Sequence, residues 1–319
     1  MIIQPMSQAV PPVSTAAALN GVAPVPQLGV IRAQGEDAAS FLQGQLTQDV
    51  VLMKPGEARL AAFCNAKGRM LASFQVLKVN RDELLLVTSA DRLAATQKRL
   101  SMFVLRAKCK LSDATTEVAL AGLLGDAAVS IAAGALPSSA GGPFDHPFTI
   151  ALPPADGTPR ALWLAPAGTP LPPGATASEA DWLLAEVRAG VARITQPVVE
   201  AFVPQMLNYE SVDGVNFKKG CYPGQEVVAR SQFRGAIKRR AFVGQVAGEA
   251  LAGQEVFDAA TPDQPVGLIA QAAAVPAGTA VIASLQLSVV APTARLVVGA
   301  PDGPALADVH VPYPLLADV

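Results

Sequence analysis

Residues 217–240 read FKKGCYPGQEVVARSQFRGAIKRR, and the ten residues from Phe217 to Glu226 carry the most information in the chain. Seven residues of the stretch are basic (Lys218, Lys219, Arg230, Arg234, Lys238, Arg239, Arg240) against one acid, Glu226, so it stands at +6 in a chain of formal net charge −2. The remaining residues therefore carry −8 together. Cys221 lies between Gly220 and the Pro223-Gly224 pair, which predicts a tight, exposed loop rather than the interior of a strand or helix. A thiol on such a turn, with Lys218 and Lys219 beside it, occupies the accessible, electropositive setting in which cysteines react.

Working outward, 319 residues exceed the size at which a single core keeps growing, which predicts two or three packed lobes. Residues 1–27 are rich in Pro, Ala and Val and hold no Lys or Arg. They lack the charged start of a signal or transit peptide and read as a mobile tail. The most membrane-like stretch, Val118 to Leu136, is interrupted by Asp126, which would cost about 2.5–3.5 kcal/mol at mid-bilayer. It reads instead as a buried strand, Val118 to Leu124, followed by a short helix, and the expectation is a cytoplasmic protein. Cys64, Cys109 and Cys221 are odd in number and far apart, and the only histidines are His146 and His310. Neither a disulfide framework nor a resident metal site is expected from that inventory. Cys109 falls in the alternating run Arg106 to Leu111 and reads as a strand residue. Cys64 precedes the Asn65-Ala66-Lys67-Gly68 turn, where packing and function are both open.

Local patterns order the rest. Gly29 to Ala33 reads as a strand and Gly35 to Leu46 as a helix with Ala38, Phe41 and Leu42 on one face. Ala58 to Cys64, Arg69 to Val79 and Leu84 to Thr88 read as an antiparallel sheet, and Asp91 as the cap of the following helix. Residues 134–147 and 153–177 are crowded with Pro, Gly and Ala and read as long surface loops. Ser178 and Asp181 form a capping pattern for a helix over Glu179 to Ala189. Trp182, with Ala185 and Ala189 on its own face, fits either a core residue or a flat wall for a bound ring. After Arg240 short apolar runs separated by turns predict a small closed β domain.

The run Lys219-Gly220-Cys221-Tyr222-Pro223-Gly224-Gln225-Glu226 resembles the signature of the YgfZ-like folate-binding proteins, relatives of the glycine-cleavage aminomethyltransferase (T-protein). Leu42 to Val50, Ala61 to Met70, and Phe202-Val203-Pro204-Gln205 with Asn208 are similar to other stretches of that family. The resemblance runs from about residue 28 to the end. It implies an α+β, T-protein-like fold: residues 28–238 as a two-lobed folate-binding region and 239–319 as a C-terminal β-barrel. It also implies tetrahydrofolate or a derivative as cofactor, with Trp182, Lys219, Tyr222, Gln225, Glu226 and Arg230 as binding residues and Cys221 as the reactive thiol.

Departures from the transferase pattern shape the functional expectation. Its acidic pair is replaced by Ala72 and Ser73, its helix-end glutamate by Arg188, and the family's other folate-associated tryptophan by Leu28. The resemblance thus implies a tetrahydrofolate-dependent accessory factor for iron–sulfur cluster assembly or repair, supporting enzymes that include those thiomethylating tRNA, rather than a classical enzyme. A true aminomethyltransferase and a silent folate-binding module are the alternatives. Partners would be iron–sulfur proteins or assembly factors, with transient contact to a cluster. The Lys238-Arg239-Arg240 run is open between a solvated face and contact with an anion. Aromatic residues are sparse around it and no RNA-binding module is recognisable, so direct tRNA contact is the weaker reading.

Overall fold

The computed structural model describes residues 19–134, 142–233, 237–291 and 294–316. After a short strand, β1 (Gly21–Ala23), the first lobe is built from β2 (Leu28–Gln34), α1 (Ala38–Gln43), β3 (Ala58–Cys64), β4 (Met70–Lys78), β5 (Glu83–Ser89), α2 (Ala90–Ser101) and β6 (Lys110–Asp113). Its strands lie in the order β3-β4-β5-β2-β6, and every neighbouring pair is antiparallel. Successive side chains on a strand point to opposite faces. Ile31, Leu84 and Leu86 accordingly join Phe41, Leu42 and Leu100 of the helices. Val30, Leu85 and Val87 turn the other way, into a core shared with the second lobe. Burial on both faces is why residues 84–87 read as an unbroken apolar run instead of an alternating one.

The second lobe contains β7 (Val118–Leu124), α3 (Asp126–Gly134), β8 (Phe148–Ala155), β9 (Thr158–Pro166) and α4 (Glu179–Arg188). Its sheet has the order β1-β7-β9-β8. Helix α4 starts at a reciprocal cap: the Asp181 amide donates to Ser178 Oγ at 3.1 Å, and the Ser178 amide donates to the Asp181 carboxylate at 2.8 Å. This aims Trp182 at the sheet, where it is 1% exposed. The indole lies so close to the backbone of Gly122 on β7 that a Cβ there would stand 2.2 Å from Trp182 Cε3.

A run of short 3-10 turns over 196–212 leads to the cysteine loop and α5 (Gln225–Phe233). The chain then forms β10 (Arg239–Val246), β11 (Glu255–Asp258), β12 (Thr261–Val275), β13 (Gly278–Gln286), β14 (Leu296–Val298) and β15 (Ala305–His310). These close into a barrel in the order β10-β13-β12-β11-β14-β15 around Phe242, Val256, Ile269 and Leu285. Closure removes free strand edges. The architecture is the α+β arrangement expected, mainly antiparallel sheets followed by a small barrel.

Several local expectations are corrected. Residues 19–27 are not a mobile tail: β1 pairs with β7, and Leu19, Ala23 and Val25 are buried. Residues 1–18 lie outside the described set. The helix expected over 35–46 is confined to the six residues of α1. Cys109 precedes β6 instead of lying in it. Asp91 does not cap α2, whose N-cap is Ser89; its carboxylate accepts from the Gln196 amide at 2.8 Å. Most of 153–166 is a hairpin and not a loop. Pro153 and Pro154 are tolerated because they sit on the edge strand β8 at the register shift between Leu152 and Ala155, where the ladder to β9 is interrupted.

The approach of Gly122 to Trp182 gives a direct test of this packing. Gly122→Ala should lower stability by about 1–3 kcal/mol through overpacking, read as a lower urea midpoint. An unchanged midpoint would mean that the indole is not held against β7.

Candidate functional site

Two sites emerge, and they are separate. The first is a cavity of about 50 Å³ where the two lobes meet, lined by Leu28, Ser73, Val87, Arg160, Trp182, Glu186, Arg193 and Tyr209 among others. Its electrostatics are set by two arginines and one carboxylate. Arg193 donates to both oxygens of Glu186, from Nε at 2.9 Å and Nη2 at 2.8 Å, while Gln271 Nε2 adds a bond to the same carboxylate at 3.0 Å. Burial pulls the Arg193 pKa down, but the charge and hydrogen bonds of Glu186, with Asp91 and Tyr209, outweigh it and hold the guanidinium above its ordinary value.

Arg160 is left over. Its guanidinium carbon lies 4.8 Å from the centroid of the Trp182 ring, a cation–π contact. Among the described residues its Nη1 donates to the Pro153 carbonyl, at 3.5 Å, and its Nε has no partner. Burial pushes its pKa down to about 10, Glu186 opposing and Arg193 adding to the fall. Trp182 Nε1 is also buried without a partner. Unpartnered buried donors are costly, and in native proteins they mark places where a partner is missing.

The second site is the cysteine loop, where the other sequence motifs converge. Thr47 Oγ1 donates to the Gly214 carbonyl at 2.7 Å and accepts from the Ala62 amide at 2.8 Å, tying the segment after α1 to β3 and to the lead-in of the loop. Lys219, 7% exposed, donates from Nζ to the carbonyls of Gln43 and, at 2.6 Å, of Leu46. It also lies 4.9 Å from the Tyr222 ring centroid. Burial pushes its pKa down to about 8, against the opposing charges of Asp49 and Cys221. Gly224 adopts φ +81°, and a Cβ there would meet the Asn65 carbonyl oxygen at 2.4 Å. The loop is thereby seated on the β3–β4 turn. Gln205 Nε2 anchors α5 through the Val228 carbonyl at 2.8 Å, and Asn208 holds β10 through Ala241. On this frame Cys221 is exposed. The other two thiols are not comparable: burial pushes Cys64 up to about 12, and burial with the charge of Asp37 pushes Cys109 up to about 11.

Of the residues expected to share one ligand site, only Trp182 lines the cavity. Lys219 and Tyr222 are buried under the cysteine loop, Gln225 opens α5, and Glu226 and Arg230 pair with each other on its exposed face. The basic run is corrected too: Arg240 is 3% exposed and ion-paired with Glu210. Arg234 lies outside the described residues. Ser73 accepts from the Ile194 amide at 3.0 Å. Arg188 is directed to Asp156 at 3.6 Å and does not line the cavity. Sequence reading missed Arg160, Glu186, Arg193 and Gln271. The one local signal was Glu186, four residues after Trp182 and thus on the same helical face. Among the described residues no group of His, Cys, Asp or Glu side chains could hold a metal ion, and no helix is long and apolar enough to cross a membrane.

Two lobes of antiparallel sheet and a closed barrel define an aminomethyltransferase-like fold. Residues 13–144 match the GCVT N-terminal domain. The fold is similar to that of the glycine cleavage system aminomethyltransferase T from Bartonella henselae, with a TM-score of 0.65 at 14% identity, over 92% of this chain and 86% of that one. The chain is 32% identical over 228 residues to the tRNA-modifying protein YgfZ of Edwardsiella ictaluri, covering 66% of this chain and 67% of the relative. It is 31% identical to that of Colwellia psychrerythraea, covering 68% of each. An uncharacterized protein of Haemophilus influenzae is 31% identical over 69% of this chain and 71% of its own. The chain belongs to the YgfZ family.

The two loop glycines separate conformation from space. Gly224→Ala combines a positive φ with a clash and should cost more than about 1 kcal/mol. Gly220→Ala, with nothing within 4 Å of the added carbon, should stay within about 0.5 kcal/mol. Urea unfolding of both variants checks this, and equal costs would contradict the seating of the loop on the β3–β4 turn.

Proposed function

We propose that this protein is a tetrahydrofolate-binding accessory factor that acts in tRNA modification by supporting iron–sulfur enzymes, including those that thiomethylate tRNA. The observation that carries the reading is the division of the molecule into a cavity without a free carboxylate and an exposed thiol outside it. The cavity suits a reduced folate in its chemistry: a buried indole wall, apolar neighbours, and two unpartnered donors, Trp182 Nε1 and Arg160 Nε. A bound folate would supply a one-carbon carrier. Trp182 would stack its ring once the Arg160 guanidinium has left the indole face, contributing on the order of 1 kcal/mol beyond buried area.

Aminomethyl transfer is the disfavoured reading. Ala72 and Ser73 carry no charge. Glu186, the carboxylate in the cavity, has both oxygens engaged by Arg193 and Gln271 and is poorly disposed to position or deprotonate a folate amine. Cys221 is the group available for chemistry with a partner, since an exposed thiolate can ligate iron, accept sulfur or form a mixed disulfide. The named YgfZ relatives support the connection to tRNA modification.

Cys221→Ser tests the proposal in cells lacking the protein. The variant should keep its melting temperature and tetrahydrofolate affinity, because an exposed surface change alters stability by about 0.5 kcal/mol or less, yet fail to restore iron–sulfur enzyme activity and tRNA thiomethylation. Full restoration would remove the thiol from the account. Formation of methylenetetrahydrofolate by the purified protein in a reconstituted glycine-cleavage assay would instead favour the transferase.

A further inference from the structure

In the cavity, one carboxylate faces two guanidinium groups. Glu186 is saturated by Arg193 and Gln271, so Arg160 brings an uncompensated positive charge into a residue environment that is 6% exposed. Burying a charge without a partner costs stability. A cation–π contact with Trp182 and one long contact to Pro153 offset only part of that cost. The same guanidinium lies over the indole face a planar ligand would need, while the other side of the ring is close to Gly122. With Arg160 in place the cavity of about 50 Å³ has room for a few waters, whereas small-molecule sites are typically about 300–1,000 Å³.

The geometry points to Arg160 as the specificity-determining residue of this cavity: it leaves the Trp182 face to a planar ring and donates its N–H groups to an anionic or carbonyl acceptor carried by that ligand. A guanidinium fork matches a carboxylate or a keto–imine edge in two parallel bonds. The apo protein is thus less stable than it would be without the charge, and the ligand supplies the missing partner. A purely structural arginine would behave in the opposite way, its removal destabilising the fold.

This inference rests on the folate reading for its first probe, and the experiment separates the two. Tetrahydrofolate, tetrahydropterin, p-aminobenzoylglutamate and p-aminobenzoate are titrated calorimetrically into the full chain and into Arg160→Met and Arg160→Lys, with apo melting temperatures measured in parallel. Arg160→Met is expected to melt at or above the wild-type temperature and to bind tetrahydrofolate about tenfold more weakly, a change of about 1.4 kcal/mol. A loss shared with tetrahydropterin assigns the acceptor to the ring, and a loss shared only with p-aminobenzoylglutamate assigns it to the carboxylates. A loss of less than threefold, or a lower melting temperature with unchanged binding, overturns the assignment of Arg160 and leaves the folate reading intact. Should the Met variant not fold, Arg160→Lys decides by the same threefold criterion. If wild type binds no tetrahydrofolate, the folate reading fails. In that case p-aminobenzoate binding lost in Arg160→Met sustains the arginine assignment, and no binding of any probe overturns both.

Discussion

The ion pair between Glu186 and Arg193 is the constraint on which the arrangement of lobes depends. Glu186 stands on α4 of the second lobe, Arg193 on the segment after it, and Gln271 on β12 of the barrel. Arg193 also reaches Ser89 at the end of β5 through Nη1 at 3.0 Å, and its own amide donates to Gln271 Oε1 at 2.9 Å. One residue therefore ties both lobes together through its guanidinium and the barrel through its backbone amide. A buried pair of this kind adds little net stability over an apolar substitute, but losing one partner is expensive, so its contribution is to fix geometry. Here the geometry fixed is that of the cavity wall: with Glu186 held by Arg193, Arg160 has no carboxylate and stays over Trp182.

The cysteine loop is held by a different set of contacts. Lys219 Nζ, Gln205 Nε2 and Asn208 Nδ2 donate to backbone carbonyls, and the Tyr222 ring lies against the Lys219 ammonium. Lys219 ties the loop to the end of α1, and the close approach of Gly224 to Asn65 seats it on the β3–β4 turn, so that the exposed Cys221 is held between two anchored points. Exposure on a fixed frame suits a thiol that meets a partner protein. The cavity and the loop share one hairpin of the first lobe, β3 and β4 contributing Leu60 and Ser73 to the cavity wall and the turn between them contributing Asn65 and Gly68 to the seat of the loop.

What could be read from sequence was mostly local. The cysteine turn follows from Gly220, Pro223 and Gly224, the start of α4 from Ser178 and Asp181, and the barrel from the spacing of short apolar runs, because each is decided within a few residues. The resemblance carried the order of the lobes. The parts that were not legible depend on distant partners. Lys219 reads as an exposed cation until the carbonyls of Gln43 and Leu46 are seen to take its ammonium. Arg240 reads as part of a basic run until Glu210 is opposite it. Residues 19–27, with Pro24 and Pro26, read as tail because the pairing of β1 is with β7, about a hundred residues away. Arg160 precedes an apolar run, and nothing near it in sequence announces that Glu186 will be claimed by Arg193 first.

The proposed function requires that a reduced folate bind in the cavity at Trp182. The chain holds two tryptophans, Trp163 and Trp182, so Trp163→Phe leaves an emission signal that reports on the cavity alone. Titration of that variant with tetrahydrofolate should quench the remaining emission in a saturable manner, with a midpoint that matches the calorimetric affinity of the wild-type protein. Unchanged emission at concentrations where calorimetry records binding would put the folate elsewhere, and no binding by either method would contradict the claim outright.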